Sequence, residues 1–489
     1  MLDISKNPEF VRHVRADLRP VRALTAGVVV VIVCFLMGVG MSNAAANRTE
    51  FLKTYYYTLL WIQFLLLGLW GLTSCSQSIS RERELKTHDF LRTTRLTAAE
   101  LVAGKLLGVP VLAYFVVGCS LPISVVSGLL GGMDPLILIK TYALLLAFTL
   151  FLGLLGLWLS MQSERANVGV VAILLLLPLG MIGVAAESPF PGFAALSPYP
   201  ALVTWYDTNS HLPPPTVFGV KVSYGWLSLM LWTTLGAWMM LMMVRNFKRD
   251  LPDIRLLSRP QVLGLIAYLN LLCYAFVKQD LVSLKGGTRL TPAEFSTGVV
   301  TFNGLILFLL GAIMLTSHED LKVWWRHRAA GIESYWSERG LVWPWLVLAA
   351  AIAWTALAVQ ASSWQGIPVS SWPLRAAAFQ MTIFLIFVTR DILFIQSCYL
   401  TGLRRPLAGG LLYLILYYFA VGILSTVVDS VAPSRVGYIY ALQPFYAVTK
   451  DPGVDIVAGA ALQIPVIALL LWVITRRLSA AARIAPAPR

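Results

Sequence analysis

Residues 80–108 read SRERELKTHDFLRTTRLTAAELVAGKLLG and hold the densest charge in a chain that is otherwise apolar. Long apolar runs flank this stretch on both sides, at 54–74 and 105–130. A helix needs about 20 apolar residues to cross the hydrocarbon core of a bilayer, and each run is long enough. The charged stretch is therefore predicted to be a water-exposed loop between two membrane-spanning helices.

The composition extends this interpretation to the whole chain. Its 489 residues are 58% hydrophobic and only 13% charged, with a mean hydropathy of +0.73. A soluble protein of this size has no core large enough to bury so much apolar surface. We expect an all-α polytopic membrane protein with about twelve spans. The predicted spans are 22–43, 54–74, 105–130, 134–160, 167–186, 223–244, 261–277, 298–316, 341–361, 374–398, 407–429 and 456–475.

The basic residues predict the orientation of these spans. If the N-terminus is cytosolic, 27 of the 38 Lys and Arg residues fall on cytosolic segments, 8 on external ones and 3 within spans. This asymmetry is the positive-inside rule, and it predicts cytosolic N- and C-termini with an even number of spans. The net charge of +14 is thereby explained as a topology signal, and no nucleic-acid partner is expected.

The chain carries no motif of its own for ATP hydrolysis or metal binding. The pattern GxxxxGK[ST] is absent, so no nucleotide-binding domain, cofactor or catalytic residue is expected here. His318-Glu319 begins a zinc-protease-like HExxH pattern, but Lys322 occupies the second histidine position, so no metal site is expected. The five cysteines are predicted to be buried apolar residues rather than disulfides or ligands. They are Cys34, Cys75, Cys119, Cys273 and Cys398.

The chain divides into two predicted halves, 1–250 and 251–489, with six spans each. Each half has a long cytosolic loop after its second span, called here the first loop (76–104) and the second loop (317–340). Each half also has an external segment before its last span. Internal duplication is a common plan of transporters.

The external segments share the pattern Ala-Leu-x-Pro-aromatic-x-Ala-aliphatic. In this pattern Pro198 and Tyr199 correspond to Pro444 and Phe445, and all four are predicted to lie in an external hairpin. The alternative is that proline and aromatic residues simply occupy the membrane interface, where both are ordinary.

Two further helices are predicted on the cytosolic side. Phe10, Val14 and Leu18 recur at helical spacing opposite a basic face, which favours a helix in the inner headgroup layer over a simple charged stop. In the first loop, the segment from Arg81 to Leu91 has no Gly or Pro and is predicted to be an amphipathic helix with Leu85, Phe90 and Leu91 on one side.

The third span is predicted to begin outside the lipid, because Thr97 and Glu100 fit a capping box. A helical, charged loop of this length suggests a docking surface. The alternative is an ordinary solvated basic loop.

The first loop resembles the cytosolic loop of type-2 ABC exporter permeases. The resemblance lies in Ser80-Arg81-Glu82-Arg83-Glu84, Thr87, Leu91, Leu96 and Gly104-Lys105, together with the opening Asn7-Pro8. It covers most of residues 1–250. It implies that the loop is a coupling helix seated in a separate ATPase subunit, present in two copies and holding ATP and Mg²⁺. The implied coupling contacts are Glu82, Arg83, Glu84, Thr87 and Leu91.

The resemblance further implies a re-entrant hairpin in the external segment and a location in the bacterial cytoplasmic (inner) membrane. The chain departs from the pattern at Lys86, where the family often has Gly, and at Arg95, where it often has Pro. These departures affect the predicted docking angle. The second loop lacks the Glu-Arg-Glu pattern, so its half is expected to couple more weakly or only to cap the pore.

Arg390 and Asp391 lie inside the tenth predicted span, where ionised groups are costly and normally face a partner or a cavity. Neighbouring positions on a helix point about 100° apart, so the two side chains are not expected to face one spot. One of them is predicted to line a translocation path. The alternative, a structural ion pair with a neighbouring helix, is favoured.

These observations predict the transmembrane permease subunit of an ATP-driven exporter, with an unidentified cargo and contacts to membrane lipid. The alternative is a twelve-span secondary transporter driven by an ion gradient, in which Arg390 and Asp391 are the coupling charges. A membrane enzyme acting on lipid-linked substrates is disfavoured, because the sequence shows no cluster of acidic or histidine residues at one membrane face.

Overall fold

The computed structural model describes residues 7–42, 47–162, 194–206, 212, 214–218, 220–249, 257–276, 292–362, 372–401, 403, 406–431, 442 and 454–484. Within these ranges, eight helices are long and apolar enough to cross a membrane, and each lies at a predicted span. A ninth candidate arises if the helical segments 298–313 and 318–329, which are bent by 79° relative to each other, are counted as one broken span. The chain is therefore an all-α polytopic membrane protein. The total of twelve spans stays a prediction, and the span at 167–186 lies outside the described residues.

The chain separates into two compact units, Met1–Leu256 and Leu257–Arg489, six residues beyond the predicted boundary. The first unit contains nine described helices and one short hairpin. The helices are α1 (Pro8–Asp17), α2 (Pro20–Ser42), α3 (Arg48–Glu84), α4 (His88–Thr93), α5 (Ala98–Gly108), α6 (Val111–Leu130), α7 (Pro135–Gln162), α8 (Tyr199–Tyr206) and α9 (Tyr224–Asn246). The hairpin pairs β1 (Thr216–Val217) with β2 (Val220–Lys221).

The second unit contains seven described helices. They are α10 (Arg259–Phe276), α11 (Pro292–Ile313), α12 (His318–Ala329), α13 (Trp343–Ser362), α14 (Trp372–Tyr399), α15 (Pro406–Val431) and α16 (Val454–Ile484). Of these, α14, α15 and α16 meet the length and hydropathy expected of a span. The apolar part of α13 is shorter, from Trp343 to Val359.

The prediction of one helix from Arg81 to Leu91 is wrong about where the helices begin and end. Instead, α3 continues for 37 residues to Glu84, because the charged segment after the apolar run is also composed of good helix formers. The chain then turns at Lys86, whose φ of 57° is in the left-handed region. A new short helix, α4, starts at His88. This backbone region favours glycine, but here it is occupied by a lysine.

The predicted span 105–130 is likewise two helices rather than one. The capping box at Thr97 is confirmed: its hydroxyl accepts from the Glu100 N–H, and the Glu100 carboxylate accepts from the Thr97 N–H. The helix that it starts, α5, ends at Gly108. Pro110, which has no N–H to continue the helical bonding, stands immediately before α6.

Small residues let α3 and α7 approach closely in the first unit. A side chain at Gly156 would come within 2.6 Å of the Leu72 carbonyl oxygen, so no larger residue fits there. At the end of this interface the Ser160 hydroxyl accepts from the backbone N–H groups of Ile79 and Ser80, both at 3.0 Å. Such close packing through small and hydroxyl-bearing residues is typical of membrane helix pairs.

The two units pair their helices in the same order. In the first unit, α2 packs on α6, α3 on α7, and α7 on α9. In the second, α10 packs on α13, α11 on α14, and α14 on α16. The helices that correspond are α2, α3, α6, α7 and α9 in the first unit and α10, α11, α13, α14 and α16 in the second. In each set, the first helix packs on the third, the second on the fourth, and the fourth on the fifth. This common pairing is what two copies of one plan would give.

Candidate functional site

The first loop is anchored to the ends of several helices through Leu91. This residue lies on α4 and is buried in an apolar cluster formed where α3, α5, α7 and α9 end or begin. The other buried members of the cluster are Cys75, Ile79, Leu101, Val102, Leu157, Met161, Met243 and Phe247. Through Leu91, α4 therefore packs directly on these helix ends.

The opposite side of the same loop is exposed. Leu85 is 65% exposed and Phe90 is 73% exposed, although both are large apolar residues. They flank the exposed Lys86 and lie outside the apolar runs of the spans. The sequence placed Leu85, Phe90 and Leu91 on one side of a single helix, and this prediction is wrong: the turn at Lys86 leaves Leu85 outside α4, and Leu91 is buried whereas Leu85 and Phe90 are exposed. The exposed pair, Leu85 and Phe90, forms what we call the loop face.

A buried charge cluster fastens α1 to this assembly. The Lys105 ammonium group is fully buried and lies 2.6 Å from Glu82 Oε1 and 3.0 Å from Glu9 Oε1. Arg12 Nη2 lies 2.8 Å and 2.7 Å from the same two oxygens. Two carboxylates and two cations therefore alternate at the junction of α1, α3 and α5. We call these four residues the Lys105 cluster.

The N-terminal helix is also fitted to α5 by shape. The Asn7 side chain caps α1 by accepting from the Glu9 N–H, and it donates to the Glu100 carbonyl at 2.7 Å. A Cβ at Gly104 would lie 2.8 Å from Asn7 Oδ1 and one at Gly108 would lie 3.0 Å from the His13 Cβ. A larger residue at Gly104 would collide with Asn7 and one at Gly108 would crowd His13, so these glycines let α1 come this close. The lipid contact predicted for Phe10, Val14 and Leu18 stays a prediction.

The surroundings lower the pKa values of two side chains at this junction, Glu9 and His88. Burial alone would raise the pKa of Glu9, but the hydrogen bond from His13 and the charges of Lys105 and Arg12 outweigh it and lower the pKa to about 2. Burial lowers the pKa of His88, and the neighbouring Arg83 lowers it further. Glu9 is therefore ionised and His88 is neutral at ordinary pH.

The predicted coupling residues divide into internal and exposed groups. Glu82 belongs to the Lys105 cluster, Arg83 donates to the Met161 carbonyl at 2.6 Å, and Leu91 is buried. Glu84 and Thr87 are exposed. The sequence analysis missed Glu9 and Lys105 as partners of Glu82. The available signal was the pair of motifs Asn7-Pro8-Glu9 and Gly104-Lys105-x-x-Gly108, which offer opposite charges and close-packing glycines.

The second loop is anchored in a comparable way. Its helix α12 is capped by Ser317, whose hydroxyl accepts from the Asp320 N–H. The apolar cluster beneath it involves the ends of α14 and α16. The buried members are Leu321, Trp324, Leu341, Leu393, Leu400, Ile474 and Leu478. Large residues after α12, namely Ile332, Tyr335 and Trp336, are exposed.

Arg259 holds the two ends of the second loop together. Its guanidinium group is buried and donates to the Gly340 carbonyl at 2.6 Å, to the Ser337 carbonyl at 2.8 Å and to the Thr316 hydroxyl at 2.8 Å. The loop therefore leaves and re-enters its unit at a fixed point. The first loop is fastened by pairs of opposite charges, whereas the second is fastened by one cation among carbonyl and hydroxyl oxygens.

Arg390 and Asp391 face each other, which contradicts the expectation from helical geometry. The Arg390 guanidinium group folds back and donates to Asp391 Oδ1 from Nε at 2.8 Å and from Nη2 at 2.6 Å. It also donates to Gln463 at 2.8 Å and to Tyr418 at 2.9 Å. Tyr418 donates in turn to the second Asp391 oxygen. The flexible arginine side chain spans the angle between adjacent positions. We call these residues the Arg390 cluster.

A cavity of about 460 Å³ adjoins the Arg390 cluster between α14, α15 and α16. Its polar wall consists of Arg390, Asp391, Tyr417 and Gln463. The rest of the lining is aromatic or aliphatic and comes from Phe394, Tyr413, Leu414, Leu442, Leu462, Val466 and Leu470. The ion pair therefore has both a neighbouring-helix partner and a cavity beside it.

The predicted external hairpin is described only in the first unit. Pro198 is buried in a bend, and Tyr199 begins the short helix α8. The segment is held by Trp232, whose indole N–H donates to the Leu196 carbonyl at 3.0 Å. Pro444 and Phe445 lie outside the described residues.

Comparisons with known proteins identify no relative of this chain. No family model, no curated protein and no solved structure matches it.

Proposed function

We propose that this chain is the transmembrane permease subunit of an ATP-driven transporter, an exporter of the bacterial cytoplasmic membrane. A separate ATPase subunit, in two copies, supplies the energy. The observation that carries the proposal is the two-sided first loop. One side presents the exposed loop face, and the other packs on the span candidates α3, α7 and α9 and on the short helix α5.

The loop face has the properties of a protein contact. A contiguous exposed apolar patch outside the bilayer commonly marks an interaction site, and Leu85 and Phe90 are proposed to belong to one. Aromatic residues contribute strongly to such contacts, and Phe90 is the most exposed of the large apolar residues in the first loop. The exposed residues beside it carry both signs of charge, so we propose a partner groove that is apolar with a rim of mixed charge. These residues are Arg81 and Lys86 against Glu84 and Asp89.

The mechanical connection supports coupling rather than simple attachment. Leu91 transmits a displacement of α4 to the cluster that contains Met161 of α7 and Met243 of α9. The Lys105 cluster extends the connection to α1 and α5. Because protein interiors are densely packed, such a joint moves as a unit instead of deforming. ATP-driven motion of the partner would thereby reach the membrane helices.

The second loop is proposed as a second, different docking point. Its exposed Ile332, Tyr335 and Trp336 follow a helix anchored on α14 and α16. The absence of the Glu-Arg-Glu pattern predicts that the ATPase copies bind the two loops with unequal affinity.

The test replaces an exposed aromatic residue on the loop face. We expect Phe90→Asp to reduce the ATP hydrolysis that co-purifies with the tagged chain by about tenfold or more, because a charge in an apolar contact costs at least about 1.4 kcal/mol. Phe218→Asp is the matched control, since Phe218 is exposed at the turn between β1 and β2. Absence of ATPase activity with the wild-type chain, or equal activity in Phe90→Asp, would refute the proposal.

The Arg390 cluster favours a second candidate function, the ion-driven secondary transporter. An ion pair beside a cavity at the level of a span is a feature of coupled transporters. This alternative predicts gradient-driven transport by the purified chain in vesicles without any ATPase, abolished by Asp391→Asn. Transport that requires an added ATPase and ATP would exclude it.

A further inference from the structure

The cavity beside Arg390 combines one polar wall with a large apolar lining. Arg390 and Asp391 occur within the span candidate Ala378–Tyr399, ten or more residues from its first residue. The cavity is therefore at membrane depth. Its apolar lining suits a hydrocarbon chain, whereas its polar wall requires hydrogen-bonding groups.

The charges of the polar wall cancel each other. Arg390 donates two hydrogen bonds to one Asp391 oxygen, and the Tyr418 hydroxyl donates to the other. An anionic head group would add a second negative charge next to Asp391, and a cationic one would add a positive charge next to Arg390. Either leaves an uncompensated charge in a low-dielectric site, which is strongly unfavourable. The cavity therefore selects against charged ligands.

Hydroxyl groups fit this wall better than other uncharged groups. The Arg390 guanidinium donors are all used within the cluster, but the Asp391 carboxylate has further lone pairs to accept hydrogen bonds. The Tyr413 phenol and the Gln463 amide that line the cavity carry both donors and acceptors. Phe394, Tyr413 and Tyr417 add flat apolar surfaces against which C–H faces can pack. A head group with several hydroxyls on a compact carbon frame satisfies both requirements.

The size of the cavity sets a limit on that head group. At about 30 Å³ for each water-sized group, its volume of about 460 Å³ accommodates on the order of fifteen non-hydrogen atoms. A single sugar-sized head group with the first carbons of an alkyl chain occupies this space. Leu462, Val466 and Leu470 on α16 form the apolar side where the chain would continue.

We propose that this cavity binds an uncharged, hydroxyl-bearing amphiphile, with its head group on the polar wall of the Arg390 cluster and its chain along α16. The proposal goes beyond the function given above, because it concerns a ligand site and holds for either source of energy. It also assigns a role to the cavity that the coupling model does not use.

The test measures binding of octyl glucoside to the full chain in lipid nanodiscs, without an ATPase. Leu462 is 61% exposed and lines the cavity, so Leu462→Trp puts a larger side chain against the cavity with little effect on packing. Leu469→Trp is the matched control, because Leu469 is 56% exposed on the same helix and does not line this cavity. We expect saturable binding that Leu462→Trp weakens by tenfold or more and Leu469→Trp leaves unchanged.

Two charged probes test the selectivity. Octyl phosphate and octylamine carry the same chain as octyl glucoside with opposite head-group charges, and we expect both to bind at least tenfold more weakly. Absence of saturable octyl glucoside binding, equal effects of the two tryptophan variants, or tighter binding of either charged probe would each overturn the proposal. If Leu462→Trp does not fold, Val466→Trp provides the same obstruction from the same wall. None of these results depends on ATPase docking.

Discussion

The two buried charge clusters differ in what they connect. The Lys105 cluster joins α1, α3 and α5, three separate elements at the ends of their helices. The Arg390 cluster begins with a pair of adjacent residues on one helix and recruits Tyr418 and Gln463 around it. The first cluster holds elements together, whereas the second neutralises itself and lines a cavity. Buried charge is therefore structural in one unit and a candidate for ligand recognition in the other.

The largest expected effect comes from removing the central cation of the Lys105 cluster. Lys105→Met leaves Glu9 and Glu82 facing each other with only the partly exposed Arg12. An uncompensated buried charge costs about 3–5 kcal/mol, so the variant should unfold at a markedly lower temperature in detergent. Lys140→Met is the control, because Lys140 lies on α7 away from this cluster. Equal melting temperatures of the two variants would show that the cluster does not fasten α1.

Lowering the pH should also loosen the attachment of α1 to α3 and α5, because it protonates Glu9. Because the folded-state pKa of Glu9 is about 2 and its ordinary value is 4.5, the stabilisation is complete above pH 4.5 and is lost as the pH falls toward 2. The loss amounts to about 3 kcal/mol over this range. Spin labels at Arg15 and Arg81, both exposed, should show a single distance above pH 4.5 that broadens below it.

Glu9→Gln supplies the control for this experiment. The variant should show the broad distance distribution at all pH values, because it lacks the ionised carboxylate. A wild-type distance that stays sharp down to pH 2 would contradict the assignment of Glu9 as the group that holds α1.

A smaller effect is expected in the Arg390 cluster. Tyr418→Phe removes the hydroxyl that donates to Asp391 and accepts from Arg390, which should cost about 1–3 kcal/mol of stability. Tyr413→Phe, at an exposed position lining the same cavity, should cost less than 1 kcal/mol. Denaturation of both variants in parallel measures the difference. Equal costs would mean that the ion pair does not need the Tyr418 hydroxyl.

Local patterns predicted the parts of the fold that depend on neighbouring residues. The apolar runs gave the span positions because a bilayer requires a fixed length of apolar helix. The capping box at Thr97 was also predictable, since its partner Glu100 is three residues away. The break at Lys86 was not, because a lysine in the left-handed region is held there by its surroundings rather than by its own preference.

The sites were less predictable because their partners are distant or flexible. Glu82 was selected for contact with a partner protein, but Lys105, 23 residues away, occupies it within the chain. The convergence of Arg390 and Asp391 depends on the conformation of a long side chain, which the 100° spacing of a helix does not determine. Exposure of Phe90 required knowledge of the turn that separates it from the spans.

Site-specific photocrosslinking tests the central proposal, that the first loop receives a separate ATPase, most directly. A photoreactive phenylalanine analogue replaces Phe90 in one variant and Phe218 in another, and the products are probed with an ATP photolabel. We expect a crosslinked, ATP-binding polypeptide from position 90 and none from position 218. Crosslinks from position 90 to lipid alone, or the same ATP-binding product from both positions, would contradict the proposal.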